Sequence, residues 1–157
     1  MNGLQYKPKT CRQKGFSLVE VLIALVIMSV GMLGIAGLYV QSMQAGRTSM
    51  LRHHAVTLAG DVADRIRANP RAGIAYEGDG LDGSCVSGVV DCDEITMAGH
   101  DILLWKRQAV ESLPDGDVEI TFDDSGSPPV YSIDVIWSEP GANVQPVYSI
   151  SIPVLPN

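Results

Sequence analysis

One stretch limits this chain more than any other. From Val21 to Gly46, 26 consecutive residues carry no charge, and the carboxylate of Glu20 stands immediately before them. A helix of that length is about 39 Å long, more than the roughly 30 Å hydrocarbon core of a bilayer. A run this long and apolar predicts a membrane helix. Its outer end, with Gln41, Ser42 and Gln44, is polar enough to emerge. Gly31, Gly34 and Gly37 recur at three-residue steps, which fits either a flexible stretch or a close helix–helix contact.

Charge orients the segment. Lys7, Lys9, Arg12 and Lys14 give the first 15 residues +4 with no acid; the net charge is −7, so −11 remains for the rest. A basic head before an apolar helix keeps the N-terminus cytoplasmic and places the body outside. An acidic body with no Lys/Arg stripe also argues against nucleic-acid binding, because phosphate contacts need clustered cations. No nucleic acid is expected as a partner.

Three kinds of segment begin this way. A cleaved secretory signal has a core of 7–15 apolar residues, which this run exceeds, although Gly34-Ile35-Ala36 resembles a cleavage site. A simple uncleaved anchor leaves Glu20 unexplained. The third resemblance explains it. Lys14-Gly15-Phe16-Ser17-Leu18-Val19-Glu20 resembles the class III signal of type IV pilins and pseudopilins. The resemblance implies cleavage after Gly15 by a prepilin peptidase and N-methylation of Phe16. It also implies that Glu20 meets the N-terminal amine of a neighbouring subunit during filament assembly. Ser17 and Glu20 also fit a capping box, which needs no partner, and a first-turn carboxylate suits the helix dipole.

The helix is predicted to continue well past Gly46. Leu51, Ala55, Leu58, Val62 and Ile66 draw one apolar stripe at three- and four-residue steps. Asp61 and Arg65 sit at i, i+4 as on a solvated face, and Asn69-Pro70 closes the segment. The adjacent pair His53 and His54 cannot face one metal from a helix.

Beyond Pro70 the chain changes character. Glu77 to Ser84, EGDGLDGS, has oxygen ligands, but Leu81 breaks the calcium-loop pattern. Cys85 and Cys92 enclose six residues. A zinc site needs four ligands and only His100 is near, so outside the cytoplasm a disulfide is expected. Cys11 leaves with the leader. Asp101 to Leu113 reads as a short helix started by His100 or Asp101, with Ile102, Trp105, Ala109 and Leu113 on its apolar face. Three alternating runs follow, Val118–Phe122, Tyr131–Trp137 and Val147–Val154, joined by Gly- and Pro-rich turns. They predict an antiparallel meander covered by the long helix, an α+β fold of pilin-like layout. The domain expectation is 1–15 leader, 16–45 transmembrane or filament-core half of the helix, and 46–157 periplasmic α+β body.

The whole chain resembles the minor pilins of the type IV pilus modification protein PilV family. The later motifs are Asp64-Arg65-Ile66-Arg67-Ala68-Asn69, Trp105 with Leu113-Pro114-Asp115-Gly116, and Tyr131…Val135-x-Trp137. The resemblance implies a subunit that joins other minor pilins, a tip adhesin and the major pilin. Its location is the bacterial inner membrane first and the pilus tip later. A minor pseudopilin of a type II secretion system has the same head, and a tethered periplasmic binding domain is a further alternative. No nucleophile–base pair suggests an enzyme: Ser84 and Ser87 lie in a Gly-rich loop and no histidine has a catalytic motif around it. No cofactor or metal is expected.

Overall fold

The computed structural model describes residues 15–86 and 91–154. The basic leader residues up to Lys14, with Cys11, lie outside the described residues, as does Ser87. The chain divides after Gln44 into two compact units.

Helix α1 spans Leu18–Ala68, 51 residues. Nothing in that span stops it, because its glycines cost propensity but it holds no proline, and the next one along the chain is Pro70. Every described residue from Gly15 to Arg47 is exposed. In the second unit the helix becomes one-sided: Leu51, Ala55, Leu58, Ala59, Val62, Ala63 and Ile66 are buried. This is the stripe that the three- and four-residue spacing predicted. Arg65 and Arg67 lie in the last turn, where cations suit the helix dipole.

A four-residue 3-10 helix, Gly73–Tyr76, follows and buries Tyr76. Helix α2 is Glu94–Ser112. Its start differs from the sequence expectation: Asp93 caps it, and both His100 and Asp101 lie buried inside it. Asp93 has extended backbone, and its carboxylate accepts the Thr96 amide at 2.8 Å. The first two turns are uneven in polarity, so periodicity alone lost them. The predicted apolar face is in place, with Ile102, Trp105, Ala109 and Leu113 all buried.

The strands are β1 (Asp117–Asp123), β2 (Val130–Ile136) and β3 (Val147–Pro153). They form one antiparallel sheet in the order β1-β2-β3. Register pairs Val118 with Val135, Ile120 with Ile133 and Phe122 with Tyr131. On the other side of β2, Val135 meets Tyr148, Ile133 meets Ile150 and Tyr131 meets Ile152. A period of two puts all of these on one face. They share a single core with the buried stripe of α1 and the apolar face of α2. The body is thus an α+β domain with the long helix packed on a small sheet, the pilin-like layout. The opposite sheet face carries Glu119, Thr121, Ser132 and Asp134.

Candidate functional site

The N-terminal site is simple in geometry. Gly15, Phe16 and Ser17 are outside regular structure, and α1 begins at Leu18. The Ser17 carbonyl accepts the amides of Glu20 at 3.1 Å and Val21 at 3.2 Å. The capping box expected from Ser17 and Glu20 does not close through side chains; the first turn is held by main-chain bonds instead. Glu20 therefore stands exposed in the first turn with its carboxylate free to meet another group. Phe16 is 83% exposed. The Gly15–Phe16 bond lies in non-helical, exposed backbone.

Behind this head, α1 is long and apolar enough to cross a membrane, and none of its most apolar window is buried within the chain. Leu22, Val26, Leu33 and Leu38 are each more than half exposed. A single helix with apolar residues all round needs lipid or other helices about it.

The segment carrying these features, residues 10–36, matches the family described as Prokaryotic N-terminal methylation motif. That motif marks prepilin-type proteins, and it supports a type IV pilin-like protein, pilin or pseudopilin, with a structural rather than enzymatic part to play. The comparison with curated proteins found no match, and the comparison with solved structures found none either.

The body holds a second, structural constellation that sequence reasoning missed. Arg65 was expected on a solvated face beside Asp61. It does lie 3.7 Å from Asp61, but its Nη1 also donates to Asp101 Oδ1 at 2.8 Å, and the Asp101 side chain is only 6% exposed. Nearby, Asn69 Nδ2 donates to the Glu94 carbonyl at 2.8 Å and to the Tyr76 hydroxyl at 3.3 Å. The Tyr76 ring stacks on Trp105 at 5.7 Å and meets Tyr131 edge-on at 6.0 Å. The Tyr131 hydroxyl donates to the Gly73 carbonyl at 2.8 Å. Burial pushes Tyr76 up to about 12, helped by the Asp101 carboxylate and opposed by the Asn69 hydrogen bond. Burial likewise raises Tyr131 to about 12, aided by the charge of Glu77. This network fixes the end of α1 to α2 and to the sheet. The one available signal was Asp64–Asn69 itself, whose polar residues have structural partners.

The acidic loop after Tyr76 is a docked connector, and its acids are engaged within the fold. Glu77 accepts the Phe122 amide at 2.6 Å, Asp79 pairs with Lys106 at 3.1 Å, and Asp82 accepts the Ser84 amide at 2.9 Å. Lys106 is pulled down by partial burial, but Asp79 and Asp117 more than offset this and hold it above the usual value. Leu81 bonds through its amide to the Gly99 carbonyl at 2.9 Å. Gly80 is required there: its φ is +75°, and a Cβ would lie 2.6 Å from the Gly99 oxygen. Cys85 and Cys92 form a disulfide with Cα atoms 5.7 Å apart. Among the described residues no group of three or more His, Cys, Asp or Glu is placed to hold a metal.

Proposed function

We propose that this chain is a minor pilin of a type IV pilus and part of the tip complex that primes assembly. Prepilin peptidase cuts after Gly15, and Phe16 is N-methylated. The processed chain waits in the bacterial inner membrane with its body in the periplasm. It then enters the base of a filament with other minor pilins, followed by the major pilin, and carries a tip adhesin outward.

The observation that carries this reading is the methylation motif over residues 10–36 on an apolar helix whose surface its own chain leaves bare. Cleavage before such a helix removes the +4 head and keeps the anchor. It also creates an α-amine at Phe16, four residues from Glu20. In a dry bundle of helices an unpaired carboxylate is costly, and losing its partner costs roughly 3–5 kcal/mol. A neighbour's α-amine supplies the missing charge. Support for the pilus over a type II secretion pseudopilin comes from the Asp64–Asn69 and Trp105–Gly116 segments, since the head serves both systems.

Three measurements decide it. Mass spectrometry of the mature protein is expected to show N-methyl-phenylalanine at Phe16; an intact Met1 sinks the reading. Deleting the gene is expected to reduce piliation and twitching and to leave exoprotein secretion intact; the reverse pattern assigns the chain to secretion. Glu20→Gln is expected to leave the protein processed in the membrane and absent from filaments.

A further inference from the structure

We infer that Arg47 and Arg52 form a basic collar on α1 that binds the phosphates of anionic phospholipids in the outer leaflet of the membrane before the subunit is extracted. The inference rests on the proposed topology, with the apolar half of α1 in the bilayer and the body beyond it.

Position is the first ground. No acidic residue occurs on α1 between Glu20 and Asp61, and the first charges after the apolar run are Arg47 and Arg52. They lie 27 and 32 residues past Glu20, where about 20 apolar residues already suffice to span a hydrocarbon core. With Glu20 at the inner boundary, Arg47 is the first charge beyond the outer edge of that core and Arg52 follows five residues, about one and a half turns, further out. Side chains on a helix tilt toward its N-terminus, so both guanidinium groups reach back toward the lipid.

Lack of an internal partner is the second ground. Arg65, Arg67, Arg71 and Lys106 all pair with carboxylates. Arg47 and Arg52 are exposed, and among the described residues neither pairs with one. This holds in a body with a strong excess of acid. Glu139 does reach this part of α1, but it accepts the Thr48 hydroxyl and pairs with neither arginine.

Arrangement is the third. At 100° per residue the two arginines stand about 140° apart around the axis, on either side of the stripe that begins with buried Leu51. A protein partner docks on one face of a helix. A bilayer surface meets the helix on every side that the body leaves open, and two arginines that flank the buried stripe suit that geometry. A guanidinium fork matches phosphate oxygens, and an anionic leaflet attracts a surface cation by about fivefold in binding per arginine.

The test uses the full mature chain, recovered from membranes after co-expression with a prepilin peptidase and held in neutral detergent. It is offered equal amounts of phosphatidylglycerol and phosphatidylcholine, and bound lipid is counted by native mass spectrometry. Phosphatidylglycerol is expected to be retained over phosphatidylcholine by roughly 30-fold. Arg47→Gln/Arg52→Gln is expected to bring the ratio near one, and Arg47→Lys/Arg52→Lys to keep most of it. Arg107→Gln, which removes another exposed arginine, is expected to change nothing. Equal retention of both lipids by the unaltered chain overturns the inference, as does a preference that survives the double Gln variant. A double Gln variant that stays out of filaments while the unaltered chain shows no lipid preference reassigns these arginines to a subunit contact. The intact mass of the same sample reports leader removal and methylation, so failure of the pilin reading is seen separately.

Discussion

Arg65 Nη1 stands 2.8 Å from Asp101 Oδ1, and through that contact the last turns of α1 are tied to the middle of α2. The two partners are unequal. The Arg65 side chain is 49% exposed and the Asp101 side chain 6%. Removing the arginine leaves a buried carboxylate with no cation, whereas removing the acid's charge leaves a guanidinium that water reaches. Arg65→Met is therefore expected to cost about 3 kcal/mol, and Asp101→Asn clearly less. Urea unfolding of the full chain in neutral detergent, followed by tryptophan fluorescence, measures both. Equal losses contradict the assignment of Asp101 as the buried partner.

The cap on α2 predicts an acid-side effect. The hydrogen bonds from Thr96 hold Asp93 below the usual carboxylate range. A carboxylate with a lowered folded pKa adds stability above its unfolded value near 3.8, and this is lost as pH falls through the folded one. Asp93→Ala is expected to lower the Tm by roughly 3–5 °C at pH 7 and to flatten the dependence on pH between about 5 and 3. Asp93→Asn is expected to keep most of the Tm, because asparagine also caps. Thermal melts by circular dichroism across that range read out both effects.

Two tyrosines predict the alkaline side. Tyr76 and Tyr131 hold their protons to about 12, mainly because burial disfavours the phenolate. A raised folded pKa contributes stability that is complete below the unfolded value near 10 and disappears as pH rises through about 12. In an alkaline titration, the tyrosinate absorbance of these two residues is expected to develop together with unfolding. Tyr76→Phe and Tyr131→Phe each identify one share of that late signal. Its appearance near 10 with the fold intact contradicts the burial of their hydroxyl groups.

The outer face of the sheet predicts a gain. Glu119 on β1 is directly opposite Asp134 on β2, and like charges in that register repel. Neither has a cation partner among the described residues. Glu119→Lys is expected to stabilise the body by about 0.5–1 kcal/mol, checked by the same urea titration. Loss of filament incorporation in that more stable variant identifies this face as a contact surface.

Local chemistry made much of this legible. The uncharged run from Val21, the stripe from Leu51 to Ile66 and the alternation in Val118–Phe122 each express a period that backbone geometry dictates whatever lies nearby. The N-terminal motif is likewise contiguous, so Gly15, Phe16 and Glu20 were readable together, and the close spacing of Cys85 and Cys92 made their pairing readable as well. The start of α2 was not, because its first two turns mix Glu, Thr, Gly and His with the apolar residues without a clear stripe. Buried Asp101 resembled a helix-starting residue until Arg65, 36 positions earlier, was brought against it.

Residues close in the chain thus decided the long apolar helix, the secondary structure and the N-terminal motif, since hydrogen-bonding period and side-chain hydrophobicity act over a few residues. Only tertiary structure decided which charges have partners. It buried Asp101 against Arg65, assigned the acids after Tyr76 to amides and Lys106, and left Arg47 and Arg52 without a carboxylate among the described residues. Coulomb attraction and desolvation depend on distance through space, which the order of residues does not state.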